Sequence, residues 1–582
     1  MTSDRPRLAR PVTKIAAAYQ VLVLGTGYGG ATAACRLAAA GLQTCVLEKG
    51  REFGPQDFTK TPKDNWRNTQ VHAGGALSTV VRALTALGKL GKHDALYDWR
   101  VDGDIIVYQG CGLGGGSLIN AGVAVRPASG VLAGHEWPAE LQKAVTDDNP
   151  YGALASGYAA AEAMLGAAPQ NDAALPRHAP LTSLAKAHDT ALVSPKLTIS
   201  QADGVSTAGV AMGRCRNCGN CGSGCSYGAK ASLDTNYLAS AVAHGAHIFT
   251  QVAVSHIVKR ADEEWDVFYT SSSLEGRSRF GAPLLVVRAK TVVIAAGSLG
   301  STQILLESAR RGLPLSPTVG QGFSANGDFA GVSFNGSIPL GQLGASLAPS
   351  SKDKHACQPG PLISSLVELS DETRSSEKGM KNMMVQESNF DAMLATIFFW
   401  MCLLVWLGQH VLAAEVCTPR RSWRQWFSHI GRVISSLSSG VRAPHSAMQH
   451  SQLAFVVGHD NADGSIEAYD AGGYLGLAGQ KAVRVHWPDH ARQFQAAENA
   501  LAVKANGLHT VCLEAIVTVC IADMASFLAS RRHRAAFTGT VLAEALDPEP
   551  MMATGGTFEL FTAKTLSHGP VLARYTCELT AR

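Results

Sequence analysis

The sequence predicts an α/β protein organised around a dinucleotide-binding unit, and three observations carry that expectation. An apolar strand at Val21–Leu24 runs into Gly25-Thr-Gly27-Tyr-Gly-Gly30, then an alanine-rich helix, then a second apolar strand ending at Glu48. A second glycine cluster spans Gly110 to Gly122. The chain has 582 residues, too many for one simple domain, so two are expected.

Strand, glycine turn, helix and strand form one βαβ unit with the G-x-G-x-x-G spacing at Gly25, Gly27 and Gly30. Gly25 makes the tight turn. Gly27 lets the backbone approach a pyrophosphate, and Gly30 lets the helix pack closely on the strand. The helix start offers unpaired N–H groups and the positive end of its dipole to phosphates. Glu48 lies 18 residues past Gly30, near the spacing of an acid that bonds a ribose hydroxyl.

Composition narrows the function classes. The chain is 46% hydrophobic and 16% charged with a net charge of +4, and no basic block carries interleaved aromatics, so nucleic acid is not an expected partner. Thirteen cysteines are unevenly spread, many in apolar contexts, which does not describe a secreted disulfide framework. An intracellular, reducing location is expected. Residues 1–17 read as a disordered basic tail, with an organelle-targeting peptide as the alternative.

The second cluster reads Gly110-Cys-Gly112-Leu-Gly114-Gly115-Gly116-Ser117-Leu-Ile-Asn120-Ala-Gly122. So many glycines suit backbone lying against a ligand rather than a packed element. The interleaved Leu118, Ile119 and Val123 argue against a flexible linker. With the βαβ unit before it, this cluster resembles the flavin-binding signature of the glucose–methanol–choline (GMC) oxidoreductases, and within them the cholesterol oxidase branch. Thr291-Val-Val-Ile-Ala-Ala-Gly297-Ser-Leu-Gly300, Gly320-Gln-Gly-Phe-Ser-Ala-Asn326-Gly-Asp328 and Trp487–Gly507 resemble further family segments. The resemblance implies FAD as cofactor. It implies a Rossmann-like FAD-binding domain and a second, mostly antiparallel-sheet substrate domain. Gly25, Gly27, Gly30 and Glu48 would hold pyrophosphate and ribose. Gly112, Gly115, Gly116, Ser117, Asn120 and Gly122 would line the flavin. Val254 would read the adenine edge through its backbone, and Gly297 would close the site. The implied reaction is oxidation of a CH–OH group on a sterol or other bulky apolar alcohol.

Cys215-x2-Cys218-x2-Cys221-x3-Cys225 has the spacing of a ferredoxin run. Three readings stand: a 4Fe-4S cluster, a zinc site, or an unmetallated glycine-rich loop. A cluster beside a flavin would favour electron export to an acceptor other than oxygen.

Ala392 to Gly408 is apolar except for Thr396, and Val411–Ala414 continue it. Arg420, Arg421, Arg424 and Arg432 follow with Trp423, Trp426 and Phe427, in the manner of interface anchors. A bilayer here would sever the substrate domain, so a buried helix or a lid touching membrane through 392–414 is preferred to a span. The expected division is a basic tail (1–17), an FAD-binding domain (18–340, discontinuous, with the Cys-rich loop 213–230), an exposed loop (341–390), the apolar helix, lid or membrane segment (391–432), the substrate-domain remainder (433–519) and a β-like extension (520–582).

The chain departs from the family where the alcohol proton is handled. The family places a histidine in His-Pro-Leu-Gly-Gly and an asparagine in Asn-Pro-x-x-Thr-Ile. Here Ala515-Ile-Val-Thr-Val519 is followed by Cys520-Ile-Ala-Asp-Met and neither segment appears. No catalytic residue is therefore assigned. His509 and His533 lie outside any such motif, and Glu387 is a candidate carboxylate near substrate. The expected alternatives are an active oxidase, an iron–sulfur-linked dehydrogenase and a flavin-binding remnant of low activity.

Overall fold

Alternating side chains in the first strand face two helical layers, and this pattern builds the central sheet. The computed structural model describes residues 5–58, 62–73, 94–101, 105–128, 131–135, 137–170, 175–274, 283–336, 338–344, 359–369, 383–391, 394–407, 423–439, 445–470 and 481–488, with strands at 516–520, 534–543, 547–560 and 573–580. The elements that position the site are β1 (Ala18–Leu24), α1 (Tyr28–Ala39), β2 (Thr44–Leu47), α2 (Tyr237–Ala243), β3 (His247–Phe249), β4 (Val252–Lys259), β5 (Trp265–Ser271), β6 (Leu285–Ile294) and α3 (Gly297–Arg310). They form a six-stranded sheet of order β3-β2-β1-β6-β5-β4. The first four strands run parallel, and β6-β5-β4 are antiparallel.

Val21 and Val23 pack with Ala31, Ala34, Ala38, Leu238 and Ala241 of α1 and α2. Leu22 and Leu24 face the other way, onto Phe249, Val267, Val287 and Ile304 of α3. The small residues on the buried side of α1 let that helix sit close to the strands. Register aligns the strand ends: Leu24 pairs with Leu47 on one side and Ile294 on the other. The turns after β1, β2 and β6 are thus brought to one edge, the carboxyl side of a parallel sheet, where ligands bind in such folds.

The segment before β1 is held rather than free. Ala9 bridges Ile248 on edge strand β3, and the Arg10 amide donates to the Ile248 carbonyl at 2.8 Å. Arg7 pairs with Asp57 at 2.9 Å, and Arg5 donates to the Gly228 and Ala211 carbonyls at 2.8 and 3.0 Å. Composition suggested a disordered tail, but its arginines meet carbonyls and acids from distant chain, and its backbone covers an open sheet edge.

A second sheet is antiparallel throughout. Its strands are β7 (Phe329–Ser333), β8 (Leu366–Leu369), β9 (Met383–Ser388), β10 (Gln452–Val457) and the short Leu192–Val193, in the order β7-β10-β9-β8-Leu192–Val193. The expected exposed loop at 341–390 is corrected here: Leu366, Val367 and Val385 are buried in this sheet. The serine- and lysine-rich composition of Ser346–Lys381 hid a strand of only four residues. Most of that stretch lies outside the described residues. Near the C-terminus, strands at Ile516–Cys520, Arg534–Ala543, Asp547–Leu560 and Ala573–Thr580 form a four-stranded antiparallel sheet.

Between β9 and β10 stand two helices, α4 (Leu394–Leu407) and α5 (Trp423–Ser439). Ala395, Phe399 and Leu403, at i, i+4 and i+8, are buried with Val433, Phe390, Met448 and Leu453. The fourteen residues of α4 reach about 21 Å at 1.5 Å each, short of the roughly 30 Å hydrocarbon layer. No helix among the described residues is long and apolar enough to cross a membrane. Over Leu394–Leu407 the expected apolar helix is buried along one face, and residues 408–422 of the candidate segment lie outside the described residues. Trp400, on the opposite face, is 52% exposed. Phe399→Ala is therefore expected to cost about 3–5 kcal/mol in urea unfolding, and Trp400→Ala less than about 1 kcal/mol. Equal losses would contradict the burial of one face.

Candidate functional site

Three glycine turns touch at the carboxyl ends of β1, β2 and β6. Gly25 has φ +103°, and a Cβ there would stand 2.4 Å from the Ala295 carbonyl oxygen. A Cβ on Gly30 would stand 2.1 Å from the Gly25 carbonyl oxygen, so α1 begins directly on the turn. Gly115 reaches across: its Cβ would lie 3.0 Å from the Gly27 Cα. Gly50, just after Glu48, lies so near the Gly112 backbone that a Cβ would stand 2.3 Å from the Gly112 nitrogen. A Cβ on Gly27, Gly116 or Gly297 would meet nothing within 4 Å. Backbone is therefore bared to open space from each of the three turns.

Thr26, fully buried between the first two glycines, ties the turns together. Its hydroxyl donates to Glu48 Oε2 at 2.5 Å and accepts from the Gly114 amide at 3.0 Å. The Thr26 amide donates to Glu48 Oε2 at 3.1 Å, and the Gly50 amide to Oε1 at 2.8 Å. Burial pushes the Glu48 carboxyl above its usual range, and these bonds oppose that shift. Glu48, expected at the ribose, thus already brackets the βαβ unit, with a lone-pair site to spare on Oε1. Beside it, Asp98 is buried against Lys49 at 3.2 Å and His72 at 3.2 Å. Burial would raise the Asp98 carboxyl, but Lys49, His72 and Arg100 hold it well below the usual range.

The second glycine loop has its own brackets. The buried Ser117 hydroxyl donates to the Gly114 carbonyl at 2.7 Å and accepts from the Leu233 amide at 3.1 Å. It is spent inside the protein rather than turned to the open space. The Asn120 side chain donates to the Tyr28 hydroxyl at 2.8 Å and accepts from the Gly122 amide at 3.2 Å. Gly122, at φ +74°, accepts from the Thr198 amide at 2.8 Å through its carbonyl. Beneath this loop the Lys230 ammonium donates to the carbonyls of Leu118, Asn120 and Cys221 at 3.0, 2.7 and 3.1 Å. Burial lowers the Lys230 pKa to about 8. Val254 lies on β4, two residues after Val252, whose amide donates to the Glu48 carbonyl at 2.8 Å. Gly297 opens α3 with φ +73°. Gly112 fits against Phe53 and Leu118, where a Cβ would come within 2.9 Å of either side chain.

Cys215, Cys218, Cys221 and Cys225 line one cavity with Ile199, Tyr227 and Lys230. Amides of Asn217 and Ala229 donate to the Cys215 and Cys225 sulfurs at 3.4 and 3.3 Å. Burial pushes the Cys215 and Cys221 thiols up to about 11 and about 12. Yet no three His, Cys, Asp or Glu side chains among the described residues are grouped to hold a metal ion. The 4Fe-4S and zinc readings of this run are therefore not supported: spacing in sequence brought the thiols to one cavity without gathering them around a point.

Glu387 is corrected as a substrate-facing carboxylate. It is fully buried, pairs with Arg177 at 3.1 Å, and accepts from the Ser364 and Ser365 amides at 2.9 and 3.0 Å. The Ser364 hydroxyl, 2.9 Å from His178 Nε2, also donates to Glu387 at 2.8 Å. His509 and His533 lie outside the described residues. Sequence reasoning missed Thr26, Tyr28 and Lys230. The only signal for the first two was their place inside the glycine turn. For Lys230 it was a lone cation among small residues in Gly228-Ala-Lys-Ala-Ser.

Residues 22–325 match the family model for GMC oxidoreductase. A cholesterol oxidase of Mycobacterium tuberculosis is 29% identical over 313 residues, covering 50% of this chain and 48% of that protein. A long-chain-alcohol oxidase of Arabidopsis thaliana is 26% identical over 339 residues, covering 54% of this chain and 39% of that protein. The chain thus spans about half the length, or less, of these curated relatives. A formate oxidase structure from Aspergillus oryzae superposes with a TM-score of 0.46 at 13% identity, covering 83% of this chain and 80% of that one. A likeness that low carries no argument here.

Removing the Thr26 hydroxyl would leave the buried Glu48 carboxylate and the Gly114 amide each one bond short. Thr26→Val is expected to lower stability by about 2 kcal/mol, read by chemical denaturation, with Thr26→Ser near wild type. A Thr26→Val protein as stable as wild type would show that the hydroxyl does not tie the turns.

Proposed function

The chain belongs to the GMC oxidoreductase family, and from that premise we propose that it is an FAD-dependent oxidoreductase acting on the CH–OH group of a sterol or another bulky apolar alcohol. The observation that carries this reading is the meeting of three glycine turns with bare backbone at Gly27, Gly116 and Gly297, the first turn braced by the Glu48 carboxylate. The residues present fit a flavin dinucleotide: a turn at a helix start for the pyrophosphate, an acid for the ribose, and a glycine loop for a flat ring. FAD, when bound, supplies the acceptor for the hydrogen removed from carbon. The chain's own part is to hold that group, fix the second loop through Ser117 and Lys230, and keep the alcohol oriented. The relatives named as acting on cholesterol and on long-chain alcohols support a bulky apolar substrate.

One observation favours a second reading, a flavin-binding protein with little turnover. Neither family segment that would take the alcohol proton occurs between Trp487 and Arg582, and Glu387 is committed to Arg177 and the serines. The two readings separate in one experiment. The purified protein is loaded with FAD and its spectrum followed anaerobically on adding cholesterol, then a long-chain primary alcohol. Bleaching of the oxidised flavin by either alcohol is the expected result. Retained FAD with no bleaching by either selects the second reading, and failure to bind FAD removes both.

A lipid surface is the partner we propose for the outer face of α4 and α5. Trp400, Ile434 and Leu437 are 52%, 57% and 53% exposed there. Arg420, Arg421, Arg424 and Arg442 fall between residues 416 and 459, a stretch without Asp or Glu, while Arg432 is buried on Asn335. Apolar side chains on a cationic, acid-free stretch suit an anionic bilayer. Co-sedimentation with phosphatidylserine-containing vesicles, weak with pure phosphatidylcholine and lost in an Ile434→Ser/Leu437→Ser variant, is expected. Absence of binding to anionic vesicles would sink the idea.

A further inference from the structure

We propose that Lys230 and Tyr28 are positioning residues that clamp Asn120, and through it the second glycine loop, in the place where the loop meets the flavin. The proposal rests on the FAD reading above. Its starting point is an unusual expense: Lys230 is 3% exposed, and a buried ammonium is tolerated only when its protons are used. All three are, at 3.0, 2.7 and 3.1 Å, on the carbonyls of Leu118, Asn120 and Cys221. The shortest bond goes to Asn120.

Asn120 is then gripped a second time from the opposite side. Its amide nitrogen donates to the Tyr28 hydroxyl at 2.8 Å. Tyr28 is the first residue of α1, directly after Gly27, whose backbone borders open space. The bond therefore ties the pyrophosphate turn to the flavin loop. Tyr28 accepts in this bond, so its own proton is left to donate, and the side chain is 42% exposed. That proton suits an oxygen of the bound dinucleotide.

The loop does not need this clamp merely to keep its fold. Ser117 already braces it to Gly114 and Leu233, Thr198 holds the Gly122 carbonyl, and the Asn120 amide donates to the Gly116 carbonyl at 2.9 Å. The Lys230 and Tyr28 bonds add to those braces and converge on one residue. Lys230 also carries the connection onward, because its third proton holds the cysteine loop at Cys221.

The test compares wild type with Tyr28→Phe, Lys230→Met and Lys230→Arg. FAD affinity is read by titration, and the circular dichroism and midpoint potential of the bound flavin are recorded. Apoprotein unfolding is followed alongside. Tyr28→Phe, which removes an exposed hydroxyl, should unfold like wild type yet bind FAD about 10-fold more weakly, one hydrogen bond's worth, with altered flavin dichroism. Lys230→Met should change the same dichroism bands in the same sense, and Lys230→Arg should restore part of the signal. A folded Tyr28→Phe protein with wild-type affinity, dichroism and potential overturns the clamp, even where Lys230→Met fails to fold. Wild-type protein that binds no FAD overturns the cofactor reading itself, a separable result.

Discussion

A single buried hydroxyl sets the geometry on which the rest of the site depends. Thr26 is surrounded by glycine backbone from two turns, and no water can reach it to satisfy the groups it serves. Its proton goes to Glu48 at 2.5 Å, with the Gly112 carbonyl farther off at 3.3 Å, and its lone pair to the Gly114 amide. That requirement fixes the end of β2 relative to the start of α1, and both relative to a loop almost ninety residues further along the chain. The close contacts at Gly25, Gly30 and Gly50 follow from it, because side chains at those positions would push the turns apart before the hydroxyl could bridge them. An acid usually read as a ligand group is here first a structural bracket. The two roles are compatible because a carboxylate can accept several bonds at once.

The second loop is organised by charge rather than by close approach. Its Leu118 and Asn120 carbonyls point inward, where a cation adds to the braces from Ser117 and Thr198. Lys230 answers them and, with the same ammonium, fixes the cysteine loop. The cysteine loop is held as well by Tyr97 donating to the Ser223 carbonyl at 2.8 Å and by amide-to-sulfur bonds. Ferredoxin-like spacing is a statement about chain reach, and by itself does not gather the thiols around a point.

Much of the nucleotide-binding half was legible because its determinants are local. Glycine at fixed intervals between apolar strands has few alternative explanations, and the register of β1 with β2 and β6 follows from those strands being continuous and apolar. Legibility ended where partners are distant. Nothing in Arg5 or Arg7 announces that they meet Gly228 or Asp57. Nothing in Glu387 distinguishes an acid facing substrate from one facing Arg177, since burial and pairing are properties of the assembled sheet. The apolar run at 392–408 was ambiguous for a related reason. Hydropathy registers how much apolar surface a helix has, and α4 spends that surface at Ala395, Phe399 and Leu403 on a protein core that sequence places before and after it. A four-residue strand such as β8 is too short for its pattern to stand out from the polar stretch around it.

The two halves of the molecule are held by different interactions, and this bears on how a site could keep a cofactor while its chemistry changes. The nucleotide-binding half needs Thr26, Glu48, three glycine turns and Lys230, all before residue 300. The antiparallel sheet is held instead by its apolar layer around Val367, Val385 and Val456 and by the buried Arg177–Glu387–Ser364 group. Breaking such a buried pair from one side costs about 3–5 kcal/mol, so Glu387 is bound to its structural duty and is not free to serve as a proton acceptor. Holding the proposed FAD and accepting an alcohol proton are separate demands, and the bonds among Thr26, Glu48 and Lys230 answer only the first.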